Sequence, residues 1–124
     1  MEFSIDDKGS LETAVIALGL RYNHGQTQFR GYGDSMDRCE DAISVPNKRD
    51  AYEIGVVSKS TGGYDLLWDN FNGGNGLCDY VGRDGKRLQD EYNAAFLTKQ
   101  YETDGYSVSR TNAEDGRILL EAYR

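Results

Sequence analysis

Hydrophobic and polar positions alternate most sharply between residues 51 and 69. Tyr52, Ile54 and Val56 alternate with Glu53, Gly55 and Val57, and Tyr64, Leu66 and Trp68 alternate with Asp65, Leu67 and Asp69. A period of two belongs to paired strands. The connection Lys59-Ser-Thr-Gly-Gly63 is short enough to force the two runs together as an antiparallel hairpin. The remaining elements are expected to pack on or beside it.

Before the hairpin, Phe3 and Ile5 mark a short opening strand. Asp6 and Asp7 offer N-cap oxygens to a first helix, whose apolar stripe is Leu11, Ala14, Val15 and Leu18, with Gly19 placed to close it. Weak alternation from Gln26 to Tyr32, bracketed by Gly25 and Gly33, predicts a second strand, and Asp34 to Glu40 is polar. Cys39, Asp41, Ile43 and Val45 share one face of a third strand ended by Pro46, which cannot donate to a ladder.

After the hairpin, residues 69–76 contain three glycines and three asparagines, which favour left-handed and irregular backbone in a solvated loop. Leu77 to Val81 has no decisive period. Helix formers dominate from Lys86 to Thr103, with Leu88, Tyr92, Ala95, Phe96 and Lys99 on one face and Leu97 and Tyr101 widening it. Asp104-Gly105 ends this second helix, and Tyr106 to Arg110 with Arg117 to Tyr123 forms a C-terminal hairpin. The predicted order is β-α-β-β-β-β-α-β-β. It describes a single α+β domain over residues 1–124, a two-layer sandwich of a mainly antiparallel sheet with two helices on one face.

Composition changes this picture in two respects. The chain has 124 residues, enough for one core without disulfide or metal staples, and its two cysteines, Cys39 and Cys78, are expected to be free thiols. Fourteen Lys and Arg against 21 Asp and Glu give a net charge of -7, which disfavours nucleic-acid and anionic membrane partners. There is no apolar run of membrane-spanning length and no secretory pattern, so a soluble, cytoplasmic protein is expected.

Chemical motifs give little. Gly82-Arg-Asp-Gly85-Lys86 is too short and followed by the wrong residue for a phosphate loop, and Gly31-Tyr-Gly33 has Met36 where a dinucleotide fingerprint needs glycine. Asp69, Asn70, Asn72 and Asn75 fail the register of a calcium loop, which would put Val81 at the bidentate position. His24, Cys39 and Cys78 lack paired metal-ligand spacing, and His24 is the one imidazole available as a base. Catalytic residues, metal ligands and cofactors are therefore expected to be absent. Asp65, Asp69, Asp79 and Glu91 could converge for acid-base work, but a chain this acidic supplies such groupings by chance.

What remains is an aromatic and basic set around the glycine loop: Trp68, Phe71, Tyr80, Lys86 and Arg87, with Tyr22, Arg30 and Tyr32 as further candidates on the sheet. Aromatic residues and Arg dominate binding hot spots, and loops display them. Trp68 alternates with Leu66 and reads as core, which leaves Phe71 and Tyr80 as the better surface candidates.

The opening strand with Leu11 to Leu20, the Gly31-Tyr32 pair, Tyr52-Glu-Ile-Gly55 with Tyr64-Asp-Leu-Leu67, Tyr92, Gly105-Tyr-Ser-Val108 and Asp115-Gly-Arg-Ile-Leu-Leu120 together resemble the hypothetical chloroplast reading frame thirty-five family. That family is a domain of unknown function from cyanobacteria, red-algal plastids and cyanophages. The chain departs from it in a shorter opening strand and a more glycine-rich stretch from Gly73 to Gly85. The resemblance implies a single α+β domain and a cyanobacterial or phage-like source, and it brings no activity, cofactor or catalytic residue.

The favoured expectation is a non-catalytic interaction or regulatory domain that meets a protein partner through the glycine loop and its aromatics. One alternative is a small-ligand binder or small enzyme using carboxylates near Asp69 and Asp79 with Lys86 or Arg87 holding an anion. Another is nucleic-acid binding or mimicry. Exposed strand edges offer a route to homo-oligomers.

Overall fold

The computed structural model describes residues 2–33 and 35–124; Asp34, at the start of the polar stretch, lies outside them. In chain order the elements are β1 (Glu2–Ile5), α1 (Lys8–Ala17), β2 (Arg21–His24), β3 (Gln28–Arg30), β4 (Met36–Arg38), β5 (Asp41–Ser44), β6 (Ile54–Ser58), β7 (Tyr64–Leu67), α2 (Leu77–Val81), α3 (Lys86–Thr103), β8 (Ser107–Asn112) and β9 (Ile118–Tyr123). Irregular turns at Phe71–Gly76 and Arg83–Gly85 flank α2. The class is α+β with a main antiparallel sheet, as the alternation predicts. Among the described residues no helix is long and apolar enough to cross a membrane.

The central hairpin forms where the period of two is sharpest, with Val56 opposite Leu66 and Gly55 opposite Leu67. It nucleates a five-stranded sheet of order β1-β7-β6-β5-β2, so β1 and β2 are its edges. One face carries Ile5, Ile43, Ile54, Val56 and Leu66, which merge into one core with Leu11, Ala14 and Val15 of α1 and Leu88 and Tyr92 of α3. Asp7 caps α1 by accepting from the Ser10 N–H at 3.1 Å, and the Tyr92 hydroxyl accepts from the N–H groups of Asp6 and Asp7. A Lys99–Asp7 ion pair of 3.0 Å ties the helices together at the same corner.

Two sequence expectations need correction, and one segment left open by its pattern takes a form. The second strand is not one run from Gln26 to Tyr32. Asp41 Oδ1 accepts from the N–H of Gly25, whose φ of 76° turns the chain. The residues before that turn form β2, which joins the main sheet, and those after it form β3, which pairs with β4 as a separate ribbon. β4 itself arises in the stretch read as polar. The ribbon lays Phe29, 5% exposed, on the back of the sheet against Gly55. The C-terminal hairpin likewise forms its own two-stranded ribbon of β8 and β9, fixed to α3 by two hydrogen bonds of 2.7 and 2.8 Å between Arg110 and Glu91. Finally, Leu77 to Val81 is helical because Leu77 and Val81, four residues apart, are both fully buried.

One polar network lies within the core. Asp41, 5% exposed, meets Lys8 Nζ at 2.8 Å, the Tyr22 hydroxyl at 2.7 Å and the Gly25 N–H at 2.8 Å. Burial alone would raise its pKa, but the Gly25 N–H, the Lys8 ammonium and the Tyr22 hydroxyl outweigh that and bring it down to about 2. The hydrogen bond to Asp41 raises the pKa of Lys8, and burial followed by the Asp41 contact raises that of Tyr22.

Two outcomes are expected. A Cβ at Gly55 would stand 2.3 Å from the Phe29 ring, so Gly55→Ala should cost roughly 1–3 kcal/mol as overpacking, read as a lower urea midpoint at unchanged slope. Because the folded pKa of Asp41 lies below its unfolded value near 3.8, its contribution is complete above about pH 4 and is lost as pH falls through about 2. Asp41→Asn should remove on the order of 1–2 kcal/mol at neutral pH and flatten the dependence of stability on pH between 4 and 2. An acid-unfolding curve identical to that of the unsubstituted chain would refute the assignment.

Candidate binding surface

Two loops meet beside the end of β7. After β3 the Gly31 N–H donates to Ser35 O at 3.1 Å. The chain leaving β7 enters the asparagine-glycine stretch. Asp69 joins the two: its Oδ2 accepts from the Tyr32 N–H at 3.2 Å and its Oδ1 from the Phe71 N–H at 2.8 Å. The two rings stand 4.5 Å apart at 71°, edge to face, with Tyr32 58% and Phe71 57% exposed. Met36, also exposed, pairs with Arg30 across the ribbon.

The stretch expected to be a solvated loop is an ordered left-handed turn. Asn72, Gly73, Gly74 and Asn75 all have φ between 52° and 64°. Residues with a side chain strain in this region, and Gly and Asn tolerate it best. Gly74 is buried and its carbonyl accepts from the Tyr52 N–H at 2.9 Å, while the Asn75 amide donates to Asp50 O at 3.2 Å. The turn is thereby tied to the segment before β6.

That segment completes an open concavity of about 680 Å³ lined by Arg30, Lys48, Arg49, Asp50, Tyr52 and Asn75. Among the described residues, none of the three cations forms an ion pair. The Arg30 guanidinium donates instead to the backbone carbonyls of Arg49 and Ala51, and Glu53 accepts from the Arg30 N–H and from the Gln26 amide. Tyr52 is 5% exposed, and its hydroxyl makes no hydrogen bond among the described residues. Burial raises its pKa, with the Asp69 and Tyr32 charges adding to the effect. Gly33, the residue after Tyr32, also lines the concavity, which places it beside the loop that carries the aromatic pair.

The residues singled out in the sequence divide. Phe71 is on the surface. Trp68 is in the core, 4% exposed, edge-on to Phe3 at 5.9 Å with its indole N–H donating to Asn70 Oδ1 at 2.8 Å. Tyr80 on α2 is half-buried and packs against the core. Lys86 pairs with Asp90 at 2.6 Å along α3, and Arg87 donates to the Asp79 carbonyl at 3.2 Å, so both engage their own neighbourhood and neither lines this concavity. Tyr22 is committed to Asp41, whereas Arg30 and Tyr32 do reach the surface. Lys48, Arg49 and Tyr52 were missed, and the only local hint was the basic pair in the turn Asn47-Lys-Arg-Asp50.

The carboxylates serve separate contacts: Asp65 accepts from Ser4, Asp69 from the two loop amides and Glu91 from Arg110. His24 pairs with Glu12 at 2.7 Å. The Cys39 thiol donates to Gln26 O and burial pushes its pKa up to about 11, and burial also raises that of Cys78, so both free thiols stay protonated. Among the described residues no group of three His, Cys, Asp or Glu is placed to hold a metal ion.

Comparison with protein-family models, with curated proteins and with solved structures finds no match. Asp69 is the residue whose removal should release the surface. Asp69→Ala leaves two loop amides without an acceptor, and their hydrogen exchange should quicken about tenfold at Tyr32 and Phe71, corresponding to roughly 1–1.5 kcal/mol. Unchanged exchange at both amides would show that the loops hold together without it.

Proposed function

We propose that the chain is a non-catalytic interaction domain that receives an acidic segment of a partner protein at the surface formed by Tyr32, Phe71 and the adjoining cationic concavity. The Tyr32–Phe71 pair carries this reading. Two aromatic rings more than half exposed, standing edge to face on two loops whose backbone amides share one carboxylate, have the chemistry of a binding anchor. Charge complementarity selects the partner, because Arg30, Lys48 and Arg49 face the same concavity with Asp50 as the described carboxylate beside them.

A cytoplasmic setting and kinship with the hypothetical chloroplast reading frame thirty-five family belong to the same proposal. The family resemblance rests on the quoted residues alone. Small-enzyme chemistry is disfavoured by the dispersal of Asp65, Asp69 and Glu91 among separate partners. Long nucleic acid is disfavoured by the net charge of -7.

An array of acidic peptides, each with one aromatic residue, tests the reading. Binding by the unsubstituted chain should fall tenfold or more with Phe71→Ala and with Tyr32→Ala, while the urea midpoint of each variant stays within about 0.5 kcal/mol equivalent. Peptide binding that ignores both substitutions would reject the surface.

A further inference from the structure

The cationic concavity contains more than a carboxylate partner requires. Arg30 is braced by the carbonyls of Arg49 and Ala51, and these neutral acceptors orient its guanidinium without cancelling its charge. The Lys48 side chain lies over Gly76, which brings its amine beside the left-handed turn. Arg49 is exposed on the same rim. The third kind of donor is Tyr52, more than nine-tenths buried, lining the concavity and without a hydrogen-bond partner among the described residues. Its hydroxyl is not sealed away from solvent, since no fully buried polar atom among the described residues lacks a partner. Three cations and a solvent-accessible hydroxyl lining one open hollow make a donor-rich seat in a chain whose net charge is -7.

Resting on the partner-binding reading above, we propose that this hollow is a phosphate site, and that the partner segment docks with a phosphorylated side chain seated among Arg30, Lys48, Arg49 and the Tyr52 hydroxyl while Tyr32 and Phe71 hold the residues beside it. A phosphate monoester near neutral pH approaches a dianion with three acceptor oxygens, which suits several cations and a hydroxyl donor better than a single carboxylate would. The arrangement needs no catalytic group and leaves the ester intact.

Inorganic phosphate, phenyl phosphate, an acidic phosphoserine peptide, its unphosphorylated twin and adenosine monophosphate are titrated into the full chain at low salt, followed by amide chemical shifts and calorimetry. Phosphate and phenyl phosphate should move amides within residues 30–33, 48–52 and 72–76, and the phosphopeptide should bind at least tenfold tighter than its twin. Lys48→Ala combined with Arg49→Ala should abolish the phosphate response. Tyr52→Phe, which keeps the ring, should weaken it about three- to tenfold with the urea midpoint preserved. Arg30 is left unaltered because it braces the loop.

Equal binding of the two peptides, with binding still dependent on Phe71, would overturn the phosphate site and leave the acidic-segment reading standing. Phosphate shifts that persist in the Lys48 and Arg49 double variant would overturn it by placing the anion elsewhere. Adenosine monophosphate binding tenfold tighter than the phosphopeptide would overturn the choice of a partner segment. Failure of every peptide and every phosphate would reject both readings together.

Discussion

A buried carboxylate holds the arrangement together. Asp41 sits where α1, β2 and β5 meet, and an ion in that position is tolerated only when its lone pairs are occupied. Lys8 from the helix, Tyr22 from the edge strand and the Gly25 N–H from the turn supply those contacts. Shifting α1 along the sheet, or opening the turn at Gly25, would strand the charge. The consequence reaches the surface. Gly25 is the point at which the chain leaves the main sheet, so the turn that Asp41 fixes also sets where β3 begins. From there Phe29 enters the contact with Gly55, and the next residues place Arg30 and Tyr32 at the binding surface.

The elements that were legible in the sequence are those whose pattern and packing agree. The hairpin from Ile54 to Leu67 alternates because one face of it is core, and α1 repeats Leu11, Ala14 and Val15 because one stripe of it is core. The failures lie where packing is two-sided or short. β2 and β3 read as one weak strand because Tyr22 and Phe29 are both inward-facing, although they point into opposite sides of the same sheet. No one-dimensional period separates those cases; the separating feature is the positive φ at Gly25 and its bond to Asp41. Phe71 was legible as a loop aromatic, and Trp68 as core. The cations were not, because Arg30 and the Lys48–Arg49 pair are distant in sequence and converge only after β3 folds back over the sheet.

Net charge and local charge act over different ranges. At physiological salt an exposed charge is screened beyond about 8 Å, so the net charge of -7 says little about a hollow a few ångströms across. Inside that hollow Arg30, Lys48 and Arg49 dominate. A net negative chain with a cationic recess disfavours extended polyanions while admitting a short anionic group that can enter. Glu53 behind the ribbon contributes to the same end: it accepts from the Arg30 N–H and the Gln26 amide, stabilising the backbone that carries the guanidinium without pairing with it.

The left-handed turn explains how a glycine-rich stretch can present a rigid surface. Each residue with a side chain in that conformation costs about 1–2 kcal/mol relative to right-handed backbone, a penalty that glycine escapes and asparagine feels least. Asn72, Gly73, Gly74 and Asn75 fill all four positions, and the turn is secured at its interior by the bond between Gly74 O and the Tyr52 N–H and at its rim by Asn75 on Asp50 O. Glycine content here therefore records a demanding backbone path and not slackness. Because Phe71 opens the turn and the Tyr52 N–H bonds to its interior, the aromatic edge and the hollow stand on two segments tied together, and a ligand that engages one meets the other already in position.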